Sequence, residues 1–277
     1  MKPPPFDYVR ATSVDEALAA LAEGGSDAKP IAGGQSLVPA LNMRLVRPSL
    51  LVDVNHAGLE GISANGELRV GATTRQSALA RDERVHPLVR QALPFVGHFV
   101  TRNRGTVGGS IAHADGAAEL PLCLVALDGV VVAEGPGGRR EVSAGEFFVT
   151  HFQTALGPGE LLVETRWPLA GAGEASAFEE LALRAGDFAQ SMAAVVLRRE
   201  AGIVADARVA VGAVTDRPTR LSEVERLLVG SAGTDAAADA GALAARLVDP
   251  PGTTHATSRY LRELTGTLVM RAIQRAS

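Results

Sequence analysis

Two segments built around adjacent glycines constrain this chain most: Ala32-Gly33-Gly34-Gln35-Ser36-Leu37 and Thr106-Val107-Gly108-Gly109-Ser110-Ile111-Ala112-His113-Ala114-Asp115. Glycine accepts positive φ and lets backbone N–H groups approach a ligand closely. Each pair also stands beside hydroxyl side chains and ahead of a helix-like stretch. Together they predict two loops that grip a pyrophosphate from both sides, although about 70 residues lie between them. The spacing matches neither G-x-G-x-x-G nor G-x-x-x-x-G-K-[ST], which excludes Rossmann and Walker sites. Taken singly, each Gly-Gly pair is equally the mark of a tight turn.

A chain of 277 residues with 46% hydrophobic content can bury one large or two modest cores. Its net charge of −4 provides no basic footprint for nucleic acid. No apolar leader follows Met1-Lys2-Pro3-Pro4-Pro5 and no long apolar run occurs, so a soluble, cytoplasmic chain without membrane insertion is expected. The single cysteine, Cys123, lies in an apolar run and reads as a small buried hydrophobe. One cysteine cannot supply the ligands of an iron–sulfur cluster. The six histidines show no metal-binding spacing, and no metal site is expected.

The N-terminal part alternates strand and helix. A strand over 6–12 leads to a capping box, Ser13 to Glu16, that opens an amphipathic helix stopped at Gly24-Gly25. A strand over 29–32 feeds the first glycine segment, a helix runs from about 37 to 46, and Leu50 to Val54 is a buried strand. This β-loop-α-β order places the loop at a strand end beside a helix N-terminus, where anions are favoured. An Asn65-Gly66 hairpin, helices near 75–80, 87–97 and 117–127, and strands near 129–133, 140–142 and 160–167 follow. Pro168 to Gly173 reads as a linker. Beyond it, strands over 177–183, 191–199 and 205–214 precede helices over 222–229, 236–247 and 257–276, an α+β layer pair. The expected domains are 1–170, with subdomains of about 1–56 and 57–170, and 175–277.

As strings, A-G-G-Q-S-L and T-V-G-G-S-I-A-H-A-D resemble the two flavin-binding motifs of the FAD-binding medium subunit of the molybdenum hydroxylases. This family includes the carbon monoxide dehydrogenase flavoprotein and the flavin domain of xanthine dehydrogenase, and the resemblance runs the whole length of the chain. It implies an α+β fold: a two-subdomain FAD-binding domain of the vanillyl-alcohol-oxidase-like (PCMH) type, then a smaller C-terminal domain with an antiparallel sheet and helices. It also implies that Ile31, Ala32, Gly33, Gly34, Gln35, Ser36 and Leu37, with Thr106, Gly108, Gly109 and Ser110, wrap the FAD pyrophosphate and ribityl chain. Ala112 and His113 continue that wall. Glu119 faces cofactor hydroxyls or complements a helix dipole, and Asp115 is near the flavin or a helix cap.

Arg184-Ala185-Gly186-Asp187-Phe188-Ala189 resembles the family's R-x-G-D-[FY]-A segment. Phe188 is thereby expected as an aromatic lid on the isoalloxazine and Leu162 as a wall on the adenine side. Where some relatives carry a lysine after an aromatic residue, this chain reads Phe178-Glu179, which leaves Arg184 as a candidate to stabilise reduced flavin. Arg102 and Arg104 flank the second segment and are either pyrophosphate partners or solvated.

No catalytic constellation is expected in a chain whose cofactor carries the chemistry. The function implied is an electron-transfer subunit. Its FAD takes electrons from the [2Fe-2S] clusters of a small partner subunit, which draws them from a molybdopterin-binding large subunit, and an external acceptor receives them. A hetero-oligomer, a heterohexamer, is implied. The competing readings are a self-sufficient flavin oxidoreductase and a flavin-free scaffold whose glycines only make turns.

Overall fold

The computed structural model describes residues 2–277. Strand β1 (Asp7–Arg10), helix α1 (Val14–Gly24), β2 (Ala28–Ile31), α2 (Leu37–Asn42) and β3 (Leu50–Asp53) form the first unit. Its sheet is parallel, in the order β1-β3-β2. Ser13 caps α1 by accepting the Glu16 amide, while Glu16 reaches back to the backbone and hydroxyl of Thr12. The capping box is therefore closed one residue earlier than its usual reciprocal form. Helix α2 is shorter than expected, because Arg44 turns left-handed at φ 59.

The second unit contains β4 (Ile62–Ala64), β5 (Glu67–Gly71), α3 (Gln76–Leu79), α4 (Pro87–Ala92), α5 (Phe99–Arg104), α6 (Val107–His113) and α7 (Glu119–Ala126). Strands β6 (Val130–Gly135) and β7 (Gly138–Ser143), helix α8 (Ala144–Phe147), and strands β8 (Phe148–Thr150), β9 (Gln153–Thr154) and β10 (Leu161–Pro168) follow. Strands β4-β5-β10-β6-β7 make one antiparallel sheet. The expected helix over 87–97 ends at Ala92 and continues as a 3₁₀ turn, Leu93–Phe95, containing Pro94, a residue that cannot donate to a helical hydrogen bond. Helix α7 starts at Glu119, not 117, because the Asp115 carboxylate takes the Ala117 amide and holds a turn there.

The chain ends with β11 (Glu174–Ala182), β12 (Ala189–Glu200), β13 (Ile203–Gly212), β14 (Thr219–Arg220), α9 (Ser222–Leu228), α10 (Ala237–Leu247) and α11 (Ser258–Ala276). These strands form an antiparallel meander, and side chains alternate between its faces. Ala177, Ala193 and Val195 join a core with α9, α10 and α11. Phe178, Met192 and Ala194 point the other way, into the main core that also holds Leu120, Leu122 and Leu124 of α7. The C-terminal sheet thus packs between its own helices and α7. Among the described residues no helix is long and apolar enough to cross a membrane.

Candidate functional site

The two glycine segments, far apart in sequence, meet. A Cβ built on Gly33 would stand 2.5 Å from the Arg104 carbonyl oxygen and 2.9 Å from Gly105 Cα, so only glycine permits the approach. Parallel β2 delivers the first segment from its carboxyl end, and Val54 N–H holds it there by donating to Ile31 O at 3.1 Å. The second segment is fastened to the other sheet. Between Leu162 and Glu164 the β10 register shifts, and Val163 O accepts the Ala72 amide, while Ala72 O accepts the Gly108 amide at 2.9 Å. A Cβ on Gly108 would lie 2.6 Å from Ala72 Cα.

The physical role of the glycines differs in part from the sequence expectation. Of the four, only Gly34 has positive φ, 70°. Gly108 and Gly109 do not lie in a loop ahead of a helix; they are inside α6, a helix that sequence reasoning missed along with α5. Their low helix propensity argues against this placement, and tertiary close approach overrides it.

Gln35, Ser36 and Gly109 are exposed, whereas Ile31, Ala32, Gly33, Gly34, Leu37, Ser110, Ala112 and His113 are half-buried. Both segments therefore present side-chain-free backbone and serine hydroxyls to solvent, which fits the phosphates and ribityl hydroxyls of FAD. The first turn of α2 adds little to this, because Val38 N–H already donates to Gly34 O at 2.9 Å, Ala40 N–H donates to Ser36 O at 3.2 Å, and Pro39 has no amide hydrogen. Thr106 is buried at 2% exposure, and its Oγ1 caps α6 by accepting the Gly109 amide at 3.1 Å. His113 closes α6 with its ring 4.8 Å from that of Phe152; burial lowers its pKa against the opposing pull of Asp115, so the ring is neutral at pH 7.

Asp115 and Glu119 are both buried. Asp115 holds the turn before α7, whereas Glu119 occupies the first position of α7, where burial and the Asp115 charge raise its pKa to about 7. Glu180 on β11 is raised to about 8 by burial and by Glu119, and its Oε2 has no hydrogen-bond partner. Cys123 lies one helical turn beyond Glu119, and burial with the fields of both carboxylates pushes its thiol up.

Leu162 sits on β10 in the main core at 3% exposure, its side chain not on an open wall. Phe188 is 73% exposed, in a loop whose Gly186 packs on the ring of His98, the residue capping α5. The R-x-G-D-F-A loop is thus brought to the helix immediately before the second glycine segment. Arg102 is engaged elsewhere, donating to the carbonyls of Val96 and Gly97 at 3.0 and 2.8 Å. Glu179 pairs with Arg275 on α11 at 2.5 Å.

Sequence reasoning missed Asn55 and Arg75. Asn55 Nδ2 donates to Ala32 O at 2.9 Å, and Arg75 reaches both Asn55 Oδ1 and Arg104 O. The available signal was topological: Asn55 follows the carboxyl end of a parallel strand, where α/β sheets place their ligand crevices.

The chain and its fold have counterparts over nearly the whole length. Residues 4–170 match the family described as FAD binding domain in molybdopterin dehydrogenase, and residues 176–276 match the CO dehydrogenase flavoprotein C-terminal domain. The 6-hydroxypseudooxynicotine dehydrogenase complex subunit alpha of Paenarthrobacter nicotinovorans is 43% identical, over 100% of this chain and 96% of its own. The carbon monoxide dehydrogenase medium chain of Hydrogenophaga pseudoflava is 36% identical, over 100% of this chain and 98% of its own. Among solved structures, quinoline 2-oxidoreductase from Pseudomonas putida 86 superposes with a TM-score of 0.94 at 37% identity, covering 100% of this chain and 98% of that one. Reconstituted CO dehydrogenase from Oligotropha carboxidovorans superposes with a TM-score of 0.96 at 34% identity, covering 100% and 99%. With both family matches spanning nearly its whole length, this chain belongs to the FAD-binding medium subunits of the molybdenum hydroxylases and is an FAD-dependent oxidoreductase subunit.

Proposed function

We propose that this chain is the electron-transferring subunit of a molybdenum-containing hydroxylase. Electrons withdrawn from substrate at a molybdopterin-binding large subunit reach it through a [2Fe-2S] small subunit and leave to an external acceptor, all within a heterohexamer. The observation that carries this reading is the junction of Gly33 with Arg104 and Gly105, which brings both flavin motifs to one place. The single cysteine supports the division of labour, because an iron–sulfur cluster needs more thiolates than this chain has. Bound FAD supplies the redox chemistry of its isoalloxazine ring.

The chain's own residues bind and orient. Residues 31–37 hold the pyrophosphate from one side, and Gly108, Gly109, Ser110, Ala112 and His113 from the other, with Thr106 keeping α6 in place. Glu119 faces the cofactor hydroxyls, Asp115 lies near the flavin while holding the turn before α7, Leu162 lies behind the adenine with its side chain in the core, and Phe188 covers the ring. In this division residues 1–170 form the FAD-binding domain and 175–277 the domain that brings Phe188 to it.

The test is to load the purified chain with FAD and assay it against heterocycles and carbon monoxide with artificial acceptors, alone and with its companion subunits. The chain alone retains FAD and oxidises no substrate; turnover appears only in the complex. Oxidation by the single chain at the rate of the complex supports the self-sufficient reading and overturns this one.

A further inference from the structure

The geometry points to Arg75 as the positioning residue that sets the separation of the two glycine segments, and so the grip on FAD. This rests on the reading that these segments form the FAD cradle.

The two segments belong to different sheets, and the backbone treats them separately. Residues 72–76 run beside 104–108: Gly108 N–H donates to Ala72 O, Val107 N–H to Thr74 O and Gln76 N–H to Gly105 O, each at 2.9 Å. That ladder anchors the second segment to the antiparallel sheet without using any side chain. The first segment hangs from the parallel sheet, where Asn55 Nδ2 donates to Ala32 O at 2.9 Å and to Asp53 Oδ1 at 2.6 Å.

Arg75 crosses from one system to the other. Its Nη2 donates to Asn55 Oδ1 at 2.8 Å and its Nη1 to Arg104 O at 2.5 Å. The Arg104 carbonyl is the same one that Gly33 packs against. One guanidinium therefore holds the far wall of the Gly33 contact and, through Asn55, the carbonyl of the residue preceding Gly33. Asp53, itself bonded by Tyr8, fixes the Asn55 amide from behind.

The chemistry requires arginine. A planar fork donates to two acceptors in fixed directions, while a lysine ammonium is a point donor that satisfies one acceptor well and the other poorly. The side chain is half-buried, where burial and the neighbouring Arg104 charge lower its pKa, yet an arginine remains protonated. Charge-assisted hydrogen bonds of this kind contribute more than neutral ones. Losing them frees the first segment to move off Gly105 while the backbone ladder keeps the second in place.

The test uses the full chain freed of flavin and titrated with FAD, following fluorescence quenching, the dissociation rate and the visible circular dichroism of the bound flavin. Arg75→Met weakens FAD binding about ten- to a hundredfold, mostly through faster dissociation, and alters the flavin dichroism. Arg75→Lys lies between Arg75→Met and the native chain, and it carries the test should Arg75→Met fail to fold. Asn55→Ala mimics Arg75→Met, and the double variant is no weaker than the worse single, because both cut one chain of contacts. Ser36→Trp, which fills the exposed cradle without touching the network, loses FAD through obstruction alone. Native affinity and dichroism in Arg75→Met or in Arg75→Lys beside FAD loss in Ser36→Trp overturn the role of Arg75 and leave the site standing. Retention by both Ser36→Trp and Arg75→Met overturns the site and this inference together. Strict additivity of Arg75→Met and Asn55→Ala also overturns the shared chain.

Discussion

Gly33 packs directly on the main-chain carbonyl of Arg104: a Cβ on Gly33 would lie 2.5 Å from that oxygen. No side-chain rotation relieves a clash with backbone, so the two flavin motifs touch only because Gly33 has no side chain. Gly33→Ala is expected to destabilise the chain by about 1–3 kcal/mol through overpacking, and Gly33→Val by more. Both variants lose FAD. Urea melts of the flavin-free chain and FAD titrations measure the two effects, and an unchanged melt in Gly33→Val contradicts the contact.

Thr106 is expected to act through the helix it caps. Its Oγ1 accepts the Gly109 amide, and Thr106→Val removes that acceptor while keeping the shape. The loss is about 0.5–2 kcal/mol of stability, and Thr106→Ser recovers most of it. Amide hydrogen exchange over 107–113 rises in the valine variant; equal protection in both variants removes the cap from the argument.

The buried carboxylates predict a definite pH dependence. Glu119 and Glu180 titrate near 7 and 8 in the folded chain, because burial disfavours their ions and each repels a neighbouring carboxylate, but both fall back to ordinary values on unfolding. Asp115 disfavours the Glu119 ion, whereas the Glu119 backbone amide and then the Arg102 charge favour it, and Cys123 lies beside both carboxylates. Below about pH 4 both states hold these protons. Between there and pH 8 the unfolded chain has lost protons that the folded chain keeps, so their contribution to stability declines as pH rises. Glu119→Gln and Glu180→Gln each flatten the decline of the flavin-free chain between pH 5 and 8, as read by denaturant melts. A native slope in both variants assigns the pH dependence to other groups.

Phe188 is exposed at 73%, so Phe188→Ala leaves the flavin-free melting temperature unchanged. If it covers the ring, FAD binds about five- to tenfold more weakly and the residual flavin fluorescence rises. Unchanged affinity and fluorescence remove Phe188 from the site.

Glu174 ties the units behind the site. Its Oε1 lies 2.5 Å from His86 Nε2 and its Oε2 2.8 Å from Arg208 Nη2, with His86 Nδ1 accepting the Leu88 amide. Burial holds the His86 pKa low against the pull of Glu174, which keeps the ring neutral with its proton on Nε2. Glu174→Ala leaves the largely buried Arg208 guanidinium only Asp206 Oδ2, at 3.7 Å, and removes the acceptor of His86 Nε2–H, at a cost of about 3–5 kcal/mol measured by denaturant melts. A cost near zero shows that water replaces the carboxylate.

Local patterns carried much of the answer. The Ser13 cap, the Asn65-Gly66 hairpin, the long alternating strands β12 and β13 and the last helix all follow from short-range chemistry, since capping, turn type and periodicity depend on neighbours in sequence. The motif strings pointed to FAD by a different route, their resemblance to a family's flavin-binding motifs. Helix α6 is different: Gly108 and Gly109 disfavour a helix, and the chain adopts one because only residues without side chains fit against Ala72 and the Thr106 cap. Of the four glycines, positive φ occurs at Gly34 alone, because close approach and turn geometry both select glycine and leave the same residue type in the sequence. Asn55 and Arg75 could not be found from spacing, since their importance comes from four separated places, 32–33, 55, 75 and 104, being folded onto one another. Sequence by itself determined most of the elements and, through the resemblance, the cofactor class; helix α6 and the atoms that hold the two halves of the cradle together were decided by long-range packing.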